Sequence, residues 1–222
     1  SAVLNVTLGK CYFELGQIEP AIESYHKAVE INPQWALGFI MLGQIYSAQG
    51  DADQALENLE KAIALQPDDP DLYAALAAEL LQKGDVNEAI TYLKKILKQN
   101  PNSSSALSMM GDAYNQKGDH KSAIGYYKQA INLNPDNAIS HFNMGNALQA
   151  DGNFDSAIES YQHAISINPM DAEAHLNMGV AQKENGELTS SINSIRQAIK
   201  INPDNAEAYH NLGNTLYYSG AL

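Results

Sequence analysis

The chain has 222 residues, 45% of them hydrophobic, which is enough to bury a sizeable core and too apolar a composition for a disordered segment. Its 26 Asp and Glu outweigh 13 Lys and Arg, giving a formal charge of -13, and this makes nucleic acid a poor partner because phosphate binding relies on clustered cations. The excess is spread evenly, -7 over residues 1–111 and -6 over 112–222, as suits a solvated surface rather than an acidic tail.

A lone cysteine, Cys11, excludes an intramolecular disulfide framework and a multi-cysteine metal site. It lies in a helical run and is expected to be a small buried filler rather than a nucleophile. No stretch approaches the ~20 apolar residues of a membrane span. No basic segment followed by an apolar run opens the chain, so no signal peptide is visible, and a cytoplasmic, intracellular location is the expectation.

A period of 34 residues organises everything else. Gly9, Gly43, Ala77, Gly111, Gly145, Gly179 and Gly213 mark it without an insertion, and Gly16, Gly50, Gly84, Gly118, Gly152, Gly186 and Gly220 follow each by seven. Pro33, Pro67, Pro101, Pro135, Pro169 and Pro203 form a third series. Each unit therefore reads as a first helix with a small residue at its centre, a glycine stop, a second helix and a closing proline. Asp51, Asp85 and Asp119, directly after the glycine stop, suit the N-cap of the second helix.

The repeats run 2–35, 36–69, 70–103, 104–137, 138–171 and 172–205, with a lone first helix at 206–222. Repeat 2–35 pairs Leu8 with Tyr12 on its first helix and sets Tyr25 between Ala21 and Ala28 on its second. Repeat 36–69 repeats this with Leu42/Tyr46 and with Leu59 between Ala55 and Ala62. Repeat 70–103 carries Leu76/Leu80, and repeat 104–137 carries Met110/Tyr114 with Tyr127 between Ala123 and Ala130. Repeat 138–171 has Met144/Leu148 and Tyr161 between Ala157 and Ala164, whereas repeat 172–205 departs from the pattern with Met178 followed by Gln182. A large residue flanked by small ones makes a seam between two helices. The last helix carries Leu212, Leu216, Tyr217 and Tyr218 with no second helix to cover them. This favours a fragment of a larger protein over a chain that buries its open ends against a copy of itself.

Phosphate-loop, nucleophile-elbow, zinc-protease and calcium-loop patterns are all missing, so no catalytic residue, cofactor or metal is assigned. His141 and His175 share a repeat position, but equivalent positions in neighbouring repeats lie at least ~8 to 10 Å apart. Two imidazoles must each come within ~2 Å of a zinc ion, so both are read as packing residues in the slot of Phe39, Tyr73, Leu107 and Tyr209. Met110, Met144 and Met178 are read as core, whereas Met41 and Met109 fall one residue earlier.

Segments such as Ala208-Tyr209-His210-Asn211-Leu212-Gly213-Asn214 and Ala157-Ile158-Glu159-Ser160-Tyr161-Gln162-His163-Ala164-Ile165 resemble the tetratricopeptide repeat family, and the resemblance covers essentially the whole chain in register. It implies an all-α fold, a single right-handed α-solenoid superhelix of antiparallel helix pairs, with first helices lining a concave groove. Neighbour-only contacts would then sum to its stability. The family's groove is lined by positions two, five, six, nine, twelve and thirteen of each repeat. Position six gives Met41, Met109 and a ladder of Asn143, Asn177 and Asn211; position nine gives Gln44, Asp112, Asn146 and Asn214; position twelve gives Asn115 and Gln149. An asparagine amide has two donors and one acceptor, which matches the backbone of an extended peptide.

The implied function is a non-catalytic scaffold that binds a protein or peptide in this groove. One alternative is the substrate-recruiting arm of an O-linked N-acetylglucosamine transferase, whose groove carries a similar asparagine ladder, although the first four repeats lack the asparagine. A second alternative is an architectural module that self-associates through its ends. Carboxylate-clamping grooves need clustered cations, and Lys10 and Lys183 are the only ones at the wall positions considered. No nucleic acid or membrane partner is expected.

Overall fold

The computed structural model describes residues 1–220, and its elements are thirteen α-helices. The chain divides into two compact units, Ser1–Pro101 and Asn102–Leu222. The first holds α1 (Ala2–Glu14), α2 (Ile18–Ile31), α3 (Ala36–Gln49), α4 (Ala52–Leu65), α5 (Pro70–Lys83) and α6 (Val86–Gln99). The second holds α7 (Ser104–Gln116), α8 (His120–Leu133), α9 (Ala138–Ala150), α10 (Phe154–Ile167), α11 (Ala172–Glu184), α12 (Leu188–Ile201) and α13 (Ala206–Ser219). In each unit a first helix packs on its own second helix, which in turn packs on the next first helix. That stacking of helix pairs makes the fold class an all-α solenoid.

The glycine series explain the two packing levels. Every glycine that ends a first helix is left-handed, from φ 71° at Gly16 to 91° at Gly84, so the chain reverses there without a Cβ clash. Asp51 and Asp119 then accept from the amides of Gln54 and Ser122 at 3.1 Å as N-caps, while Asp85 makes no side-chain cap bond. Mid-helix glycines serve a different purpose. A Cβ on Gly145 would sit 2.6 Å from Tyr161 Cε1, on Gly111 2.5 Å from Tyr127 Cε1, and on Gly9 2.5 Å from Tyr25 Cε1. The missing methyl is thus the notch that admits the large residue of the second helix. Alanines Ala157 and Ala164, at most 1% exposed, let the same helix approach closely on either side. Burying a ring of that size contributes roughly 1.5–3 kcal/mol.

Two expectations meet corrections. Cys11 is exposed. Its equivalent Ile45, by contrast, is buried in a cluster with Ala21 and Tyr25 of the preceding repeat. Of the three core methionines only Met110 is fully buried, at 1% exposure; Met144 and Met178 are half-buried against the cluster around Tyr161. Gln182, which departs from the apolar pattern, is buried all the same, because Ser194 Oγ donates to its Oε1 at 2.8 Å. On α13, Leu212 packs on Leu176 and Ile195, while Tyr209, Tyr217 and Tyr218 are exposed.

Gly213 is the exception among the central glycines of the first helices, since nothing lies within 4 Å of the place its Cβ would take. Gly145→Ala should therefore destabilise the chain by ~1–3 kcal/mol through overpacking. Gly213→Ala should stabilise it by ~0.5–1 kcal/mol through helix propensity alone. Urea denaturation of the two variants beside the parent chain reads both signs.

Candidate functional site

First helices of neighbouring repeats touch at α1 and α3 in the first unit, and at α7 and α9, α9 and α11, α11 and α13 in the second. The wall they form carries the side chains singled out from position six, nine and twelve. In the second unit these do not stand apart as a ladder of independent amides. Asn143 Nδ2–H donates to Asp112 Oδ1 at 2.8 Å, and Asn177 Nδ2–H donates to Asn146 Oδ1 at 3.1 Å. Each bond ties position six of one repeat to position nine of the repeat before it. Both acceptors also receive a hydroxyl from the second helix: Tyr127 O–H donates to Asp112 Oδ1 at 2.6 Å, and Tyr161 O–H to Asn146 Oδ1 at 2.7 Å. The Tyr161 hydroxyl is shared with Gln149 Oε1 at 3.0 Å.

The third asparagine of the series falls outside this arrangement. Position nine before it is Val180, which has no acceptor, and Asn211 Nδ2–H bonds instead to Glu207 O at 3.1 Å within its own helix. Asn214 Nδ2–H likewise donates to His210 Nε2 at 3.0 Å, and Asn115 Oδ1 accepts from His120 Nδ1–H at 2.8 Å. Met109 is half-buried on α7, and Met41 and Gln44 lie on α3 in the first unit. Sequence reasoning missed the tyrosines. Their signal is an Asp or Asn followed fifteen residues later by Tyr, at 112/127 and 146/161, which joins position nine to the residue that fills the glycine notch.

Burial governs the titration of this network. Desolvation raises the Asp112 carboxyl above the ordinary Asp range, and the bonds from Tyr127 and Asn143 offset part of the rise. Desolvation also drives the Tyr127 and Tyr161 hydroxyls well above the usual tyrosine range, helped by Asp112 in the first case and Glu173 in the second. Both tyrosines are therefore donors at any physiological pH.

A hollow opens beside the wall in each unit, at the same register. In the second unit Asn146, Gln149, Phe154, Tyr161, Val180 and Glu184 line it; in the first, Lys10, Phe13, Glu14, Tyr25, Met41, Gln44 and Ile45 do. His141 and His175 take no part in either, being held by bonds from Nε2–H to the carbonyls of Pro135 and Pro169 at 2.9 and 3.2 Å. Tyr73 O–H makes the same bond to Pro67 O at 2.9 Å, so the slot has a structural use. Among the described residues no group of three or more His, Cys, Asp or Glu is placed to hold a metal ion, and no helix is long and apolar enough to cross a membrane.

The sequence model of the tetratricopeptide repeat matches residues 9–50, 150–186 and 183–220, and a second model of that repeat matches 126–159. The chain belongs to the tetratricopeptide repeat family. A model of the tetratricopeptide domain of cytochrome c-type biogenesis protein H matches residues 32–138. No curated protein matches the chain in sequence. Among solved tetratricopeptide-type structures, the pilus biogenesis factor PilW aligns over 97% of this chain and 98% of its own, with TM-score 0.84 and 18% identity. A chain of the APC/C hetero-tetramer Cut9-Hcn1 aligns with TM-score 0.81 and 22% identity over 97% of this chain, which spans 43% of that one. YrrB, described as a tetratricopeptide protein with an unusual peptide-binding site, aligns with TM-score 0.63 and 24% identity over 85% of this chain and 97% of its own. At these identities the likeness is one of fold.

The raised Asp112 carboxyl gives a test of the tie. A folded-state pKa above the unfolded value contributes stability that is present below the unfolded pKa, near 3.9, and is lost as pH rises through the folded value. Asp112→Asn copies the acceptor found at Asn146 and cannot ionise. Its melting temperature should exceed the parent's at pH 7, with the gain shrinking towards pH 4, in thermal melts followed by circular dichroism.

Proposed function

We propose that this chain is a non-catalytic scaffold that holds extended segments of other proteins along the wall of its first helices. The tetratricopeptide fold is consistent with a protein interaction scaffold, and the observation that carries the finer reading is the pair of register-equivalent hollows. In both, side chains of two successive first helices flank the hydroxyl end of a second-helix tyrosine. Asn146, Gln149, Met41 and Gln44 belong to these hollows.

The asparagines contribute in a definite way. An amide has two N–H groups and one oxygen. Asn143 and Asn177 each spend one N–H on the tie to the preceding repeat, so the second N–H and the oxygen are held at a fixed orientation for a ligand backbone. Asn146 accepts two hydrogen bonds at its oxygen and keeps its amide N–H groups for the same use. An orientation set before binding reduces the ordering cost of each ligand bond. Neither a glycosyltransferase arm nor a self-assembling module is favoured by the comparisons.

A random peptide library displayed on phage and panned against the whole chain tests this reading. Enriched peptides should lose ~10-fold or more in affinity when Gln149→Ala is combined with Val180→Asp, or when Met41→Asp is introduced, given ~0.5–1.5 kcal/mol per hydrogen bond and similar losses per apolar contact. Selected peptides whose affinity ignores both sets of changes, in variants with parental helix content, would refute it.

A further inference from the structure

Tyr25, Tyr127 and Tyr161 share one repeat position and set their rings against Gly9, Gly111 and Gly145. In the second unit the hydroxyls meet oxygen acceptors of position nine, at 2.6 Å for Tyr127 and 2.7 Å for Tyr161. In the repeat of Tyr25 position nine is Lys10, and an ammonium group has three donors and no acceptor. Tyr25 is only 3% exposed, lines the hollow of that unit, and makes no hydrogen bond among the described residues. Its O–H is not among the buried groups left without a partner, so the hydroxyl end faces the open hollow, free to donate to an acceptor that enters there.

The rest of the hollow says which acceptor. At the same register Tyr161 bonds an amide oxygen, that of Asn146, so the position accommodates a carbonyl. Lys10 shares the hollow with Glu14 one helical turn away, so the cation is opposed, and a carboxylate ligand would face like charge. Phe13, Met41 and Ile45 give the hollow an apolar lining.

We propose that this hollow binds a backbone carbonyl of an uncharged peptide segment, with the adjoining aliphatic side chain against Phe13, Met41 and Ile45. The carbonyl accepts from Tyr25 O–H and Lys10, and a backbone N–H of the segment donates to Glu14. This assignment rests on the scaffold reading above and adds the class of segment taken by the first unit.

The experiment is a titration of the whole chain, isotopically labelled, followed by nuclear magnetic resonance. N-acetyl-leucine methylamide is the first probe and N-acetyl-leucinate the second. The methylamide should give saturable shifts at Lys10, Tyr25, Met41 and Gln44, and the leucinate should bind several-fold more weakly. Tyr25→Phe should weaken the methylamide ~2- to 10-fold, the range expected for one hydrogen bond, while leaving the melting temperature near the parent's because the lost hydroxyl had no partner. Tyr161→Phe, which deletes the hydroxyl shared between Asn146 and Gln149, should lower it. Lys10→Asn restores an acceptor beside Tyr25 and should abolish the shifts. Tighter binding of the leucinate, or equal affinity in Tyr25→Phe, overturns the proposal. Shifts confined to the hollow at Asn146 and Gln149 overturn this site alone; no saturable shift anywhere in the chain overturns it and counts against the scaffold reading as well.

Discussion

The structure depends on one contact made over and over: a large side chain of a second helix entering the gap left by a missing methyl on the first. At Gly145 the gap admits the Tyr161 ring, at Gly43 Leu59, and at Gly179 Ile195. Without the gap the two axes would have to separate, because a Cβ would sit less than 3.0 Å from the incoming side chain in each case. Close packing makes such a site intolerant of a single added methyl. Small buried residues on either side of the large one, alanines beside Leu59 and Tyr161 and Ser191 with Ala198 beside Ile195, keep the approach uniform along the seam.

The same contact also reaches the wall. Where the large residue is Tyr, its ring completes the core and its hydroxyl emerges among the polar side chains of the first helices. Core and wall are therefore one construction in these repeats, and the hydroxyl's partner depends on position nine. An oxygen there closes the network internally, as at Asp112 and Asn146, and then a second donor arrives from position six of the following repeat. A lysine there leaves the hydroxyl to the hollow. Where Leu59 or Ile195 fills the gap no hydroxyl is present, so the polar wall is intermittent.

Charge enters this wall sparingly. Asp112 is its half-buried ionisable member in the network, and desolvation resists its ionisation even with two donors bound. The neighbouring repeat performs the same tie with the neutral Asn146, which shows that geometry rather than charge defines the tie. Exposed ion pairs such as Lys27–Glu23 and Lys61–Glu57 lie one turn apart within second helices and add little to the fold.

The amino-acid sequence alone fixes the helix pairs and their spacing. A 34-residue period, a glycine that must turn left-handed and a proline that cannot continue a helix are local requirements, legible without coordinates. The wall positions come from the resemblance to the tetratricopeptide repeat family, and helical register then sets those side chains on a shared face. Hydrogen-bond partners are another matter. Asn143, Asn177 and Asn211 look alike in sequence, yet the first two tie adjacent repeats and the third bonds within α13, because the acceptor lies 31 residues away at Asp112 and Asn146 and is Val180 in the last case. Cys11 and Ile45 occupy one repeat position and differ in exposure, Ile45 being packed against Ala21 and Tyr25 of the repeat before it. Burial and partner choice are set by what the neighbouring repeat supplies, and that is decided by packing in three dimensions.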